Sequence, residues 1–250
     1  LLQDGIFSGY REKGFLALDG LADKAMLSRL QATATGLAAR VRTLRASEED
    51  FVLEAPTGGW LAWQRGEPAL VGVVRSVSNA HLYEPDIKGI ATECSFAQLY
   101  ISPAVGRRNV EFVTSYYWAK PPVVGSAKPW HQDMAYAPQG FHEHYENVST
   151  IWIAIDPAVP ENGCLEFVLG SHKLGLVAHD GTAEIKDGEP RNHAASEYQV
   201  DVAMMYQGHP VETVPLSAGS AVMFDGYTVH RSSPNTSTAP RQAISLVFAY

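Results

Sequence analysis

The residues that could do chemistry begin at Trp130-His131-Gln132-Asp133. In an extended segment, residues two apart point to the same side, so His131 and Asp133 can offer an imidazole nitrogen and a carboxylate oxygen to one ion. That pair needs a third ligand, and His230 in Tyr227-Thr228-Val229-His230-Arg231-Ser232 supplies it just after an expected strand ending at Phe224. Two neutral imidazoles and one carboxylate on a single face suit non-haem Fe(II) and leave positions open for substrates. Zinc could take the same three groups, more often for hydrolytic chemistry. Arg241 follows eleven residues after His230, a spacing compatible with the next strand returning alongside. Fe(II) with one carboxylate keeps one positive charge, and a chelating 2-oxo dicarboxylate brings two negative ones. An arginine would balance the remainder and grip the far carboxylate with its planar fork.

The elements that must position these groups change texture along the chain. Up to about residue 105 the sequence reads as helical with irregular connections. Asp19 is expected to cap a helix carrying Leu21, Ala22, Ala25, Met26 and Leu30 before Gly36, and Ser47 with Asp50 has capping-box spacing ahead of Phe51. A further helix is expected over Ile87 to Ile101. From about 106 onward, short segments rich in Val, Ile, Thr and aromatics alternate with Pro and Gly, as in an antiparallel sheet protein. Strands are expected at Val110–Tyr117, Thr150–Asp156, Cys164–Leu169, Val200–Tyr206, Val211–Leu216, Ser220–Phe224 and Gln242–Tyr250. No βαβ rhythm, Gly-rich phosphate loop or G-x-S-x-G elbow is present. The polar stretch from His179 to Gln199 reads either as a flap over a site or as a solvent loop.

Composition sets the outer limits. In 250 residues there are 19 Lys plus Arg against 27 Asp plus Glu, a formal charge of -8, with 46% apolar residues. That describes one globular domain over 1–250, with a core of its own. The acidic balance argues against nucleic acid and anionic membranes as partners. Two cysteines, Cys94 and Cys164, provide neither a disulfide framework nor a Cys-based zinc site and are expected to be buried free thiols. No stretch approaches about eighteen consecutive apolar residues. With no targeting pattern visible and reduced iron required, a cytoplasmic location is expected. Oligomeric state is left open.

Three blocks taken together resemble the phytanoyl-CoA dioxygenase family of Fe(II)- and 2-oxoglutarate-dependent oxygenases. They are Trp130-His131-Gln132-Asp133, then Pro160-Glu161-Asn162-Gly163-Cys164-Leu165 with Gly170-Ser171-His172, then His230-Arg231-Ser232-Ser233-Pro234-Asn235 with Pro240-Arg241. The resemblance implies a mainly β fold with packing helices, a double-stranded β-helix or cupin-like jelly roll. It also implies that His131, Asp133 and His230 hold iron and that Arg241 binds the distal carboxylate of 2-oxoglutarate. Trp152 resembles an aromatic near the family's cosubstrate pocket, and core packing is the competing role for it. Ser245, four residues beyond Arg241, is a candidate for the same carboxylate. Asp133 sets the chain apart from related halogenases, which have a small residue there. The activity implied is hydroxylation of a small molecule with 2-oxoglutarate and O2 as cosubstrates, releasing succinate and CO2; desaturation and epoxidation by the same oxidant stay open, as does a non-catalytic binding module.

Among the aromatics Tyr116, Tyr117, Trp118, Trp130, Tyr136 and Phe141, two or three are expected to line the substrate pocket. Asn162, Gly163 and Ser171 are expected to shape loops, with Ser171 and His172 able to hold backbone groups after Gly170. His142 and His144 form a second same-face pair without an evident third partner, and His172, His179, His193 and His209 read as loop histidines. A CoA substrate would favour an exposed Lys and Arg cluster, which the sequence lacks. The expectation is therefore a secondary metabolite or a modified amino acid.

Overall fold

The computed structural model describes residues 5–48, 50–56, 68–138, 140–180, 199–200 and 209–250. Strand parity organises it. In β13 (Arg241–Ala249), Ile244 and Leu246 point to one side while Arg241, Ala243 and Ser245 point to the other. β13 lies at the centre of a seven-stranded antiparallel sheet with β4 (Glu111–Lys120) and β6 (Val148–Ala154) as neighbours. Outward from these run β11 (Ala221–Asp225) and β1 (Phe15–Leu18) on one side, β3 (Val74–Ser78) and β2 (Phe51–Leu53) on the other. A second antiparallel sheet has the order β10 (Val211–Val214), β7 (Leu165–Val168), β12 (His230–Ser232), β5 (Lys128–His131).

The two faces of the large sheet bury different partners. Ile244, Leu246, Ile151, Ile153, Met223 and Tyr117 pack against helical residues such as Leu30, Leu37, Ile87, Ile90 and Ile101. The opposite parity sends Trp152, Ala154, Val222, Phe224 and Ala243 toward Leu165, Phe167 and Val214 of the small sheet. The result is the double-stranded β-helix, or jelly roll, expected from the sequence, with the site between the sheets.

The first 105 residues differ from the reading in three places. The helix spans Lys24–Val41; Asp23, not Asp19, caps it by accepting the Met26 N–H at 2.8 Å. It runs through Gly36, where the lack of a side chain leaves room for the Glu84 carboxylate. Its buried residues Leu30, Ala34, Leu37 and Val41 keep helical spacing. Phe51–Leu53 is a strand, not a helix start: the Ser47 hydroxyl accepts the Leu53 N–H at 3.0 Å and so closes a turn. The helix expected over 87–101 is broken by Ser95 at φ 50° into Asp86–Glu93 and the turns Ala97–Ile101 and Ser102–Val105. The stretch also contributes β1, β2 and β3 to the large sheet, so it is not merely a helical layer.

Cys164 is buried and Cys94 only half-buried, so the buried-thiol expectation is corrected for Cys94; both are free. Of the strand expected at 200–206, Val200 belongs to β9 (Gln199–Val200), paired with β8 (His179–Asp180). Residues 201–208, and 181–198 of the expected flap, lie outside the described residues. Among the described residues, no helix is long and apolar enough to cross a membrane.

Candidate functional site

β5 and β12 pair so that His131 and His230 are directly opposed, with ring centroids 4.2 Å apart. The chain stays extended at Gln132 (φ -119°, ψ 137°) and then turns into the short helix Asp133–Tyr136, which brings the Asp133 carboxylate back between the rings. Asp133 Oδ1 lies 3.7 Å from His131 Nε2 and 3.5 Å from His230 Nε2. One ligand atom from each of the three lies within 4.8 Å of the others.

The surroundings fix which atoms face the metal position. His131 Nδ1 lies 2.7 Å from the Pro129 carbonyl and His230 Nδ1 lies 2.9 Å from the Thr228 carbonyl. A carbonyl only accepts, so each Nδ1 carries the proton and each Nε2 keeps its lone pair for an ion. The Thr150 hydroxyl donates to Asp133 Oδ2 at 2.9 Å, while Oδ1 is the carboxylate oxygen that faces the two imidazoles. Phe167 stacks on the His230 ring and Phe224 lies 4.6 Å from it. Burial lowers the pKa of His230 against the pull of Asp133, holding it neutral as a ligand must be. This donor set fits Fe(II).

Arg241 enters the same interior from β13 and is only 2% exposed. Its guanidinium carbon lies 5.2 Å from the Trp152 ring centroid. Its Nε is buried without a hydrogen-bond partner among the described residues. Burial pushes its pKa down to about 10, with Cys164 and Asp156 pulling weakly the other way. A buried fork of donors with an orphaned nitrogen is a cradle for an anion. Ser245 stands on the same strand face; its oxygen accepts the Trp118 indole N–H at 2.9 Å, leaving its own proton to donate.

A family model described as Phytanoyl-CoA dioxygenase (PhyH) matches residues 10–243. The chain belongs to the PhyH family. It is 29% identical over 168 residues to the phytanoyl-CoA dioxygenase domain-containing protein 1 homolog of Caenorhabditis briggsae, covering 66% of this chain and 55% of the relative. The chain thus spans about half the length of the curated relatives it matches. Among solved structures, AviO1 from Streptomyces viridochromogenes Tue57 superposes with a TM-score of 0.70 at 26% identity, covering 99% of this chain and 95% of that one. EvdO2 from Micromonospora carbonacea var. aurantiaca, complexed with 2-oxoglutarate, gives a TM-score of 0.68 at 25% identity over 98% and 89% of the two chains.

The other residues singled out in this PhyH-family sequence divide by strand parity. Tyr116 and Trp118 lie on the inward face of β4, stacked at 5.6 Å and half-exposed between the sheets. Tyr117 points the other way, its hydroxyl donating to Gln242 Oε1 at 2.6 Å. The Tyr136 and His131 rings meet edge-on with centroids 5.9 Å apart, and the Tyr136 hydroxyl accepts from buried Lys128 at 3.0 Å. Trp130 is on the opposite side of β5 from His131, packed with Val168 and Val229 under the Arg231 guanidinium, so the structure does not bring it to the site. Phe141 packs beside Tyr145 against the cluster of Met134 and Val148, at its edge. His142 and His144 are exposed and meet no third ligand among the described residues.

Sequence reasoning missed Thr150, Lys128 and the Gln132 side chain. Thr150 shares its strand face with Trp152, and that parity was the available signal. Ser171 holds backbone groups as expected: its hydroxyl donates to the Val168 carbonyl at 2.8 Å and accepts the Val229 N–H at 2.9 Å, next to His230. His179 is a buried strand residue, contrary to its reading as a loop histidine.

Proposed function

We propose that residues 1–250 act as one oxygenase domain, an Fe(II)- and 2-oxoglutarate-dependent dioxygenase. In this reading it hydroxylates a small organic molecule, a secondary metabolite or modified amino acid, with release of succinate and CO2. The observation that carries the reading is the pairing of a three-ligand cluster with Arg241, a buried cation whose Nε lacks a hydrogen-bond partner among the described residues, between the same two sheets. A hydrolytic or isomerising metal site would use the cluster and leave Arg241 without a role.

When bound, iron and 2-oxoglutarate supply the activation of O2 and the oxidising power. The chain's own residues hold and exclude. His131 and His230 through Nε2 and Asp133 through Oδ1 would hold the iron. Arg241 and Ser245 would receive the far carboxylate of 2-oxoglutarate, with the Trp152 ring beneath the guanidinium. Phe167 and Phe224 keep water from the His230 side. Tyr116 and Trp118, half-exposed on the inward face, are the surface on which a substrate C–H bond would be placed.

A second reading has a specific basis: the fold is shared with a non-heme alpha ketoglutarate dependent epimerase and a carbocyclase. The same site could therefore end in a product without new oxygen. The test is an anaerobic titration of metal-free protein with Fe(II) and then 2-oxoglutarate, followed by the visible charge-transfer band of the chelate in wild type, Asp133→Ala and Arg241→Ala. A band that weakens or needs much more cosubstrate in the variants supports the reading. Absence of the band in folded, iron-loaded protein refutes it. With a turned-over substrate, 18O from O2 in the product separates hydroxylation from epimerisation, ring closure or desaturation.

A further inference from the structure

Gln132 stands between two of the candidate ligands, and its side chain makes a complete set of contacts in a fully buried position. Its Nε2 donates to the Tyr227 carbonyl at 2.6 Å and to the Gly175 carbonyl at 2.8 Å. Its Oε1 accepts the Val177 N–H at 2.8 Å. Two carbonyls on one side and an N–H on the other leave a single orientation for the amide. The backbone N–H of Gln132 donates to His179 Nε2 at 3.1 Å, and His179 Nδ1 donates to the Val177 carbonyl at 2.7 Å. Gly175 turns its carbonyl toward Gln132 at φ 67°, ψ -156°, a conformation essentially reserved for glycine.

These contacts join three segments that are remote in sequence. The first carries His131 and Asp133. The second runs from Tyr227 to His230, and within it the Thr228 carbonyl accepts the proton of His230 Nδ1. The third is Gly175–His179, which is tied to Gln132 through both its side chain and its backbone.

We propose that Gln132 is a positioning residue that couples the metal triad to the Gly175–His179 segment. Holding that segment in place sets the relative position of the two ligand-bearing stretches, and metal loading in turn tightens the segment. The reciprocity follows from linkage: whatever the ordered segment contributes to metal affinity, the metal returns as stability of the segment. This inference rests on the metal-site reading above, although neither of its readouts is catalytic turnover.

The test uses the full chain and Co(II), whose visible bands report ligand geometry. Wild type, Gln132→Met and Gln132→Glu are titrated with Co(II), and backbone hydrogen exchange over 175–179 is followed in wild type with and without the ion. Removing such an outer partner is expected to weaken Co(II) binding roughly 10–100-fold and to shift the bands, in variants whose metal-free melting shows them folded. Gln132→Glu keeps the shape but sets oxygen against two carbonyls, so it is not expected to rescue. In wild type, the Val177 amide is expected to exchange about tenfold more slowly or better once Co(II) is bound. Affinity within about threefold of wild type in a folded variant overturns the proposal, as does Val177 exchange that ignores Co(II). If the variants do not fold, the exchange measurement on wild type decides alone. Failure of wild type to bind Co(II) would remove the metal-site reading and this inference together, whereas normal wild-type binding with an unaffected variant removes only this inference.

Discussion

Arg241→Met should move ligand-free stability and cosubstrate affinity in opposite directions. The guanidinium is buried, its Nε has no hydrogen-bond partner among the described residues, and burial pushes its pKa down to about 10. A fall of that size from the ordinary arginine value corresponds to about 3 kcal/mol against the charged form in the folded chain. Because the folded value is the depressed one, that cost is present throughout neutral pH and fades only above about pH 10. Methionine removes the cost and keeps apolar contact with Trp152, but loses the cation over the ring, about 1–2 kcal/mol. The net expectation is a ligand-free protein more stable by about 1–2 kcal/mol, a Tm rise of about 2–8 °C for a chain of this size. Binding of 2-oxoglutarate to metal-loaded protein should lose about 3–5 kcal/mol, roughly two to four orders of magnitude, because the far carboxylate would be buried unpaired. Scanning calorimetry without ligand and isothermal titration with 2-oxoglutarate read the two arms. A variant that melts well below wild type would mean that Arg241 is part of the packing, and one that binds 2-oxoglutarate normally would refute its role as anion cradle.

Thr150→Val keeps shape but removes the 2.9 Å donor to Asp133 Oδ2; metal affinity should fall by about 1.5–3 kcal/mol, read by Mn(II) titration, and an unchanged affinity would show that the hydroxyl does not orient the ligand. Gly163 sits at φ 81°, with a Cβ at that position falling 2.1 Å from the Ser233 carbonyl oxygen. Gly163→Ala should therefore cost about 3 kcal/mol or more in chemical denaturation, and a cost near zero would contradict the tight approach. Burial is the largest cause lowering the pKa of His81, His172 and His230. Above about pH 6.5 these groups are neutral in both states and their contribution is intact; as pH falls below that value the unfolded chain takes up protons that the folded one resists. Metal-free protein should accordingly lose Tm between pH 7 and 5, and a flat or rising profile would refute the assignment.

What was legible in the sequence and what was not follow from the range of the signal. His131 and Asp133 were legible because two-residue alternation is local, and Arg241 because its charge was required by the ligand set it would serve. β2 was not, since Phe51, Val52 and Leu53 are all buried and alternation vanishes when both faces of a short strand are covered. The same alternation, carried one residue further, separates Trp130 from His131: adjacent residues on β5 face opposite sides, which excludes Trp130 from the interior that holds the ligands. Thr150 and the Gln132 side chain escaped for a different reason. Thr150 meets Asp133 from 17 residues away, and the Gln132 side chain meets Tyr227, Gly175 and Val177 from 95, 43 and 45 residues away; no periodicity encodes which partner is met at such a distance. Their positions nonetheless explain why ligand types alone do not make the site. Thr150 orients the carboxylate, Ser171 holds the backbone before His230, and Gln132 ties that backbone to the His131 strand, so the three ligands converge because residues with no metal-binding chemistry of their own remove the alternatives.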